Sequence, residues 1–251
     1  MVNSTARYRK AGLVGILRVI SDIDRTRRFM STLTLLRHGQ ASFGASDYDQ
    51  LSPLGQLQAQ ATGEFFYQRG MRFDRVWIGP RRRHRLTAQL ALAEIGGMSP
   101  DVDEGLDEFG EGEQLLAGAE RRTGTRVLSD SSIATTTRLR LYAEEIRLWA
   151  DGSIVVDGIA PAAQFRATVA HWLRRATAGT DSGQNVLAVT SAGVIAAVLC
   201  EVAGLPDSAL AQSMGVIGNA SLTGVVFSAK GTGLAYFNGT GHLAGDLLSG
   251  I

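Results

Sequence analysis

The chain has 251 residues, a formal net charge of +1 at pH 7 and a hydrophobic fraction of 45%. That fraction is ordinary for a packed globular protein and excludes wholesale disorder, while the near-neutral charge favours neither nucleic acid nor a membrane as a partner. The length fits one large α/β domain, and no apolar stretch approaches the roughly 20 residues of a membrane-spanning helix.

Residues 1–29 are rich in arginine and poor in acidic residues, and they lack the small-residue cleavage pattern of a secretory signal. We expect them to be a weakly ordered basic extension that precedes a domain over residues 30–251. The sequence leaves two explanations open: a translation start assigned too far upstream, or a functional basic arm. The single cysteine, Cys200, lies in an apolar run and predicts a buried thiol. Since no disulfide can form within the chain, we expect a cytoplasmic protein.

The first predicted strand covers residues 33–36 and ends abruptly at Arg37 and His38. A helix is predicted to begin at Ser52 and Pro53, because serine is a good N-cap and proline suits the first helical position. Gly70 is expected to end that helix.

The remaining elements follow from apolar periodicity and from glycine and proline breaks. They are a strand at 76–78, a helix at 81–95, an acidic loop at 101–112, mostly helical structure at 114–175 with a break near 123–132, a strand at 185–190, a helix at 194–203 and a hairpin of strands at 223–227 and 234–237. This alternation predicts a three-layer α/β/α sandwich with a mostly parallel sheet. Residues 114–175 are the candidate for an inserted helical cap.

The polar sequence Arg37-His38-Gly39 follows the first strand directly. A neutral imidazole can attack phosphorus when its other ring nitrogen is held by a hydrogen bond, and a neighbouring guanidinium can bind phosphoryl oxygens in a fork. Such tripeptides also arise by chance, so this motif alone predicts a phosphate site only weakly.

Four arginines and a histidine open the predicted helix that follows Gly79 and Pro80. A helix N-terminus already favours anions, so cations there need compensation, which a bound phosphate would provide. The alternative is a solvated basic face. The run is short and has no interleaved aromatic residues, so nucleic-acid binding is not expected. Downstream, Glu108 lies in the acidic loop, where a carboxyl with a raised pKa can act as a general acid.

Taken together, these motifs resemble the histidine phosphatase (phosphoglycerate mutase-like) superfamily. The resemblance rests on Leu-Leu-Arg-His-Gly-Gln, Leu-Ser-Pro-Leu-Gly-Gln-Leu-Gln-Ala, Gly-Pro-x-x-Arg-x-x-x-Thr-Ala and Leu-x-Glu-Phe-Gly, in that order. It extends from about Thr32 to Leu243. It implies an α/β sandwich with a phosphate pocket at the carboxyl edge of the sheet.

The resemblance also implies roles for individual residues. His38 is expected to be the nucleophile that forms phosphohistidine, Arg37 and Arg83 the phosphate clamp, and Glu108 the general acid and base. Gln40 is expected to face the pocket. The other basic residues of the helix, Arg81, Arg82 and Arg85, are expected at the rim or surface, and His242 is expected to be structural.

One position departs from the family pattern, which places a second pocket histidine after the 185–190 strand. Ser191 stands there and is expected to contribute one hydrogen bond to phosphate, without a positive charge. His84 is predicted to point about 100° away from Arg83 on its helix, and His171 is predicted to belong to the cap, so neither is expected to replace the missing imidazole. A serine-hydrolase elbow is not expected, because Val189 occupies one of the two glycine positions of that motif.

The function implied by these residues is a phosphomonoesterase that works through phosphohistidine on a small-molecule phosphate ester. No metal-ligand spacing is visible, so no metal or other cofactor is expected. The alternative is a pseudo-phosphatase that binds a phosphorylated ligand or protein without turnover, which the loss of the second histidine motivates. Phosphoglycerate mutase activity is less favoured, because a weakened pocket would protect a phosphoryl enzyme poorly from water.

Overall fold

The computed structural model describes residues 30–42, 49–96, 98–128, 130, 132–178 and 183–250. The predicted extension at 1–29 lies outside these residues. The strands are β1 Ser31–Arg37, β2 Arg75–Ile78, β3 Asp101–Val102, β4 Asn185–Thr190, β5 Leu222–Ser228 and β6 Gly231–Gly239. The α-helices are α1 Pro53–Gln68, α2 Arg82–Leu92, α3 Gly112–Thr123, α4 Thr135–Ala150, α5 Ala162–Thr177, α6 Ala192–Ala203 and α7 Ser208–Met214.

The six strands form one sheet in the order β3-β2-β4-β1-β5-β6. β1, β2, β3 and β4 pair in parallel, whereas β5 pairs antiparallel with β1 and with β6. The predicted mostly parallel α/β sandwich is therefore confirmed, and so is the hairpin near the C-terminal end of the domain.

Alternate residues of the central strands pack against opposite layers of helices. Leu33 and Leu35 of β1 belong to the core cluster that includes α5 and α6, whereas Leu36 belongs to the cluster that includes α1 and α2. This follows from the period of two in a strand, which directs neighbouring side chains to opposite faces. Both faces of the strand are buried, and its near-continuous apolar sequence reflects that.

Helix α1 begins and ends where the sequence predicts. The Ser52 hydroxyl accepts a hydrogen bond from the backbone N–H of Gly55 at 3.0 Å, and Pro53 occupies the first turn. A serine N-cap of this kind contributes about 1 kcal/mol. Gly70 follows the helix with a φ of +61°, a left-handed conformation that glycine adopts without strain.

The helical region after β3 has two breaks, of which the sequence predicted one. The second break, at residues 151–161, separates α4 from α5 and contains Gly152 and Gly158 at positive φ. Helix α5 packs into the main core, where Trp172 is fully buried, while α3 packs on α4. The same core cluster also includes Leu115 of α3 and Trp149 of α4, and the proposed cap over 114–175 stays a prediction.

Two other predictions at the level of elements were incomplete. The predicted loop at 101–112 contains the edge strand β3 and a turn of 3₁₀-helix at Glu104–Leu106. Helix α7 was not predicted, because its seven residues are too few for a clear apolar period. Among the described residues, none of the helices combines the length and apolar character needed to cross a membrane.

Candidate active site

A cleft opens where β1 and β4 end, beside the first turns of α2 and α6. Its polar base is formed by Arg37, His38, Arg83 and Glu108. Ligands in open α/β sheets bind in crevices at this edge of the sheet, because the loops that follow parallel strands converge there. The structure therefore brings together the four residues that the sequence predicts for nucleophile, clamp and acid.

The imidazole of His38 is buried and fixed in orientation. Its backbone N–H donates to the carbonyl of Thr190 at 2.9 Å, and its own carbonyl accepts from Ala220 at 3.2 Å. The ring Nδ1 donates to the Gly39 carbonyl at 2.7 Å, an arrangement that leaves the lone pair on Nε2. Burial lowers the pKa of His38 well below its ordinary value, and the guanidinium of Arg83 lowers it further. The neutral, nucleophilic form is thus favoured.

Arg37 and Arg83, the predicted phosphate clamp, are held by protein groups. The guanidinium of Arg37 donates to the carbonyl of Ile217, and Nη1 of Arg83 donates to a carboxylate oxygen of Asp49 at 3.0 Å. The other oxygen of Asp49 accepts from the backbone N–H of Arg82 at 2.7 Å, at the N-terminus of α2. A protein carboxylate therefore supplies part of the negative charge that the basic helix start requires. No local pattern in the sequence indicates Asp49, because its contact with Arg83 depends on tertiary structure.

The Glu108 carboxyl is partly buried beside the cleft and is fixed by two backbone donors. Its oxygens accept from the N–H of Phe109 at 3.1 Å and of Gly193 at 3.2 Å. Burial raises the pKa of Glu108, although these hydrogen bonds and Arg83 oppose the shift. A side chain at Gly193 would collide with the carboxyl, so glycine is needed there. A carboxyl that holds its proton to higher pH than usual is suited to general acid chemistry.

Arg81 lies elsewhere than the sequence predicts. Its guanidinium forms ion pairs with Asp107 and Glu111 and donates to the Glu108 carbonyl at 3.1 Å. The side chain is only 13% exposed, so the prediction of a rim or surface position is wrong for Arg81. Arg81 ties the segment that carries Glu108 to the start of α2. The other two basic residues assigned to the surface, Arg82 and Arg85, are exposed as expected.

The two predicted auxiliary phosphate ligands do not line the cleft. The side-chain oxygen of Gln40 accepts from the Ser52 hydroxyl at 2.8 Å, beside the N-terminus of α1. Ser191 is fully buried at the start of α6, with its hydroxyl oxygen 2.7 Å from Nε2 of His84. The Gln40 side chain is thus bonded to the N-cap serine of α1, and the Ser191 side chain faces a histidine.

His84, which was not expected to replace the missing imidazole, lies beside His38 in the structure. It is fully buried, and its ring centroid lies 5.6 Å from that of His38. Successive side chains of a helix point about 100° apart, as predicted for Arg83 and His84. Because α2 is covered on both of these sides, both side chains are buried. His171 is exposed on α5, and His242 lies 3.1 Å from the Thr62 hydroxyl, away from the cleft.

The described parts of the chain contain no group of three or more His, Cys, Asp and Glu side chains arranged to hold a metal ion. Positive charge at the base of the cleft comes from Arg37 and Arg83.

The two buried histidines predict a specific loss of stability in acid. Burial lowers the pKa of both His38 and His84 well below 6.5, so each binds a proton more readily in the unfolded state. Their contribution is fully present above pH 6.5 and is lost as the pH falls towards their folded pKa values. The free energy of unfolding should drop by up to about 1.4 kcal/mol per pH unit for each histidine.

Urea denaturation at pH 7, 6 and 5 measures this loss. His84→Gln should reduce the pH dependence by the share of one histidine, whereas His171→Asn at an exposed position should leave it unchanged. An unaltered pH dependence in His84→Gln would contradict the assignment of a buried neutral imidazole.

Solved structures share this fold. The chain superposes on a phosphoglycerate mutase from Bacillus anthracis str. Sterne with a TM-score of 0.60 at 16% identity, covering 87% of this chain and 97% of that one. It superposes on a phosphoserine phosphatase from Entamoeba histolytica in complex with 3-phosphoglyceric acid with a TM-score of 0.62 at 20% identity, covering 86% and 100%. A mycobacterial glucosyl-3-phosphoglycerate phosphatase in complex with VO3 gives 0.59 at 23% identity, covering 83% and 99%.

No curated protein sequence matches the chain significantly. The family model of the histidine phosphatase superfamily (branch 1), however, matches residues 33–240, a span that contains His38, the two clamp arginines and Glu108. That match covers most of the chain and agrees with the fold, so the protein belongs to the histidine phosphatase superfamily.

Proposed function

We propose that the protein hydrolyses phosphate monoesters through a phosphohistidine intermediate on His38. The observation that carries this proposal is the neutral His38 ring, with its Nδ1 hydrogen-bonded and its Nε2 lone pair available, at the base of a cleft that also contains two guanidinium groups and a partly buried carboxyl. Phosphoryl transfer depends mainly on positioning and on charge stabilisation, and this arrangement supplies both.

In the first step, Nε2 of His38 attacks phosphorus and the bond from phosphorus to the ester oxygen breaks. Glu108 transfers its proton to the departing oxygen, so the alcohol leaves neutral and Glu108 becomes a carboxylate. Arg37 and Arg83 stabilise the charge on the equatorial phosphoryl oxygens.

In the second step, Glu108 accepts a proton from water while the water oxygen attacks phosphorus. The bond between phosphorus and Nε2 breaks, and the lone pair returns to His38. Inorganic phosphate leaves, and Glu108 is protonated again for the next cycle. Neither step uses a metal.

The decisive test is to isolate the phosphoryl enzyme. Protein mixed with ³²P-labelled phosphate ester in the presence of EDTA and quenched in alkali should retain label on one histidine, and the label should be lost in acid, as expected of a phosphoramidate. Steady release of phosphate without any trapped label would count against the covalent route. Binding of vanadate without turnover would instead support the alternative of a non-catalytic binding protein, which is favoured by one observation: His38 is the one imidazole among the described residues that line the cleft.

The mouth of the cleft indicates the kind of ester. It is lined mainly by aromatic and apolar side chains, among them Phe109, Tyr142, Ile146 and Met214, and by the carboxylate of Glu111. Among the described lining residues, the cations are Arg37 and Arg83 at the base, where the phosphoryl group would engage them. We therefore favour small phosphate esters of uncharged, partly apolar alcohols over substrates that carry a carboxylate, and phosphoglycerate mutase activity is disfavoured for the same reason.

Accordingly, kcat/KM for 1-naphthyl phosphate should exceed that for 3-phosphoglycerate by at least about 10-fold, because a carboxylate in the mouth loses hydration without meeting a cation. Initial rates of phosphate release measure the ratio. Ala143→Arg places a cation at an exposed position of the mouth and should narrow the difference. Equal rates for the two esters in the unmodified protein would contradict this preference.

A further inference from the structure

A second buried imidazole lies beside the nucleophile. The rings of His84 and His38 are 5.6 Å apart between centroids, with their planes tilted by 39°. Nε2 of His84 is 2.7 Å from the Ser191 hydroxyl oxygen, a contact between residues 107 positions apart in the chain. A side chain at Gly79 would collide with the His84 ring, so the local backbone leaves space for this imidazole.

Simple filling of the core does not account for this arrangement. A buried imidazole loses its hydration, and that loss is offset only when its polar atoms are hydrogen-bonded. An apolar side chain would fill the same space without that cost, as Ala88 and Ala91 do further along α2. At His84, by contrast, a polar atom is directed at the one hydroxyl that begins α6.

The hydroxyl partner connects two parts of the catalytic apparatus. Ser191 follows Thr190, whose carbonyl accepts the backbone N–H of His38 at 2.9 Å. Two residues after Ser191, the N–H of Gly193 donates to the Glu108 carboxyl at 3.2 Å. The start of α6 is therefore bonded both to the backbone of the nucleophile and to the carboxyl of the acid.

His84 connects this network to the proposed phosphate clamp. His84 directly follows Arg83 in the first turn of α2, and Arg83 lines the cleft. The hydrogen bond between His84 and Ser191 thus fixes α2, which carries Arg83, against α6, which orients Glu108. The His84 ring packs beside that of His38.

We propose that His84 and Ser191 form a positioning pair for the phosphoryl transfer, in which the second imidazole of the site is supplied by α2 and is received by a hydroxyl on α6. The pair keeps the His38 ring, the Arg83 guanidinium and the Glu108 carboxyl in fixed positions relative to one another. This inference rests on the proposed function. The family resemblance leads one to expect a histidine at position 191. In this chain Ser191 instead contacts an imidazole that comes from the opposite helix.

The test removes the imidazole at position 84 and then supplies one from position 191. His84→Ala should lower kcat for p-nitrophenyl phosphate about 10²-fold with little change in KM, because displacement of reacting groups by about 1 Å has effects of that size. His84→Gln, whose amide can reach Ser191, should lose about 10-fold or less. The double variant His84→Ala with Ser191→His, which supplies the imidazole from α6, should regain at least about 10-fold over His84→Ala.

Circular dichroism and thermal melts establish that each variant is folded. Should His84→Ala unfold, His84→Gln is compared with His84→Met, which fills similar space without a hydrogen bond and should turn over about 10-fold more slowly than the glutamine variant. Wild-type kcat in His84→Ala, or equal kcat in His84→Gln and His84→Met, overturns the positioning role. So does a double variant no faster than His84→Ala.

Failure of the proposed function is distinguished by the unmodified protein. If it does not turn over phosphate esters, the phosphatase proposal falls, and the pair is judged by vanadate binding to the same cleft. Vanadate affinity should then fall in His84→Ala and recover in the double variant. Unchanged affinity would overturn the pair as well.

Discussion

His38→Ala is expected to abolish phosphate release, with kcat reduced by at least about 10⁴-fold for any ester that the unmodified protein hydrolyses. The substitution removes the proposed phosphoryl acceptor, and no second imidazole lines the cleft among the described residues. Arg37 and Arg83 remain, so vanadate or phosphate should still bind. Steady-state hydrolysis of p-nitrophenyl phosphate, with vanadate binding measured in parallel, gives both quantities.

A matched control is available in the same chain. His171 is exposed on α5 and away from the cleft, so His171→Ala should retain the full rate. Loss of vanadate binding together with activity in His38→Ala would point to a collapsed site rather than a missing nucleophile. Residual turnover above about one hundredth of the original rate would exclude His38 as the obligatory phosphoryl carrier.

The parts of the site that lie next to each other in sequence could be predicted from local patterns. The apolar run that ends at Arg37 and His38 predicts a strand followed by a polar loop, and the parallel sheet then places that loop in the cleft. The capped start of α1 at Ser52 was predicted for the same reason, because an N-cap is a local interaction. Such features depend on neighbours within a few residues.

The features that were missed depend on contacts between distant segments. Arg81 is drawn inward by Asp107 and Glu111, although its sequence neighbours Arg82 and Arg85 are exposed. Helical periodicity gives the angle between successive side chains but not which neighbouring elements cover each side of the helix.

The pairing of His84 with Ser191 shows the same limit more sharply. Each residue departs from expectation when taken alone: one is a histidine in a basic helix start, and the other is a serine after a buried strand. Their 2.7 Å contact joins helices that are more than 100 residues apart in the chain, and only the packing of α2 and α6 against β4 brings them together. Two unexpected residues at the carboxyl edge of one sheet are, in retrospect, the feature of the sequence that indicates such a pair.

Glu108→Gln is expected to separate esters according to their leaving groups. Glutamine keeps the shape of the side chain and can accept one of the backbone hydrogen bonds from Phe109 or Gly193, but it has no acidic proton to donate. Hydrolysis of alkyl phosphates, whose alcohols leave poorly as anions, should fall about 10³-fold. Hydrolysis of p-nitrophenyl phosphate, whose leaving group is stable as an anion, should fall by only about 10-fold in its first step.

The pH dependence provides an independent check. Burial raises the pKa of Glu108, so the protonated acid persists to higher pH than for an ordinary carboxyl. The rate for alkyl esters should fall on the alkaline side as Glu108 loses its proton, and this limb should disappear in Glu108→Gln. Glu113→Gln, at an exposed position in the first turn of α3, should reproduce the profile of the unmodified protein. An alkaline limb that persists in Glu108→Gln would assign the acid to another group.

Stability should change in the opposite direction from activity. Because the pKa of Glu108 is higher in the folded state, its contribution to stability is fully present below the ordinary value near 4.5 and is lost as the pH rises through the folded pKa. Above that pKa, the folded protein must hold a partly buried carboxylate, and glutamine removes this requirement. Glu108→Gln should therefore unfold at a higher urea concentration than the unmodified protein at alkaline pH, with the difference shrinking towards pH 4. We therefore expect Glu108→Gln to be slower yet more stable, because it removes a carboxyl that serves proton transfer at a cost in stability.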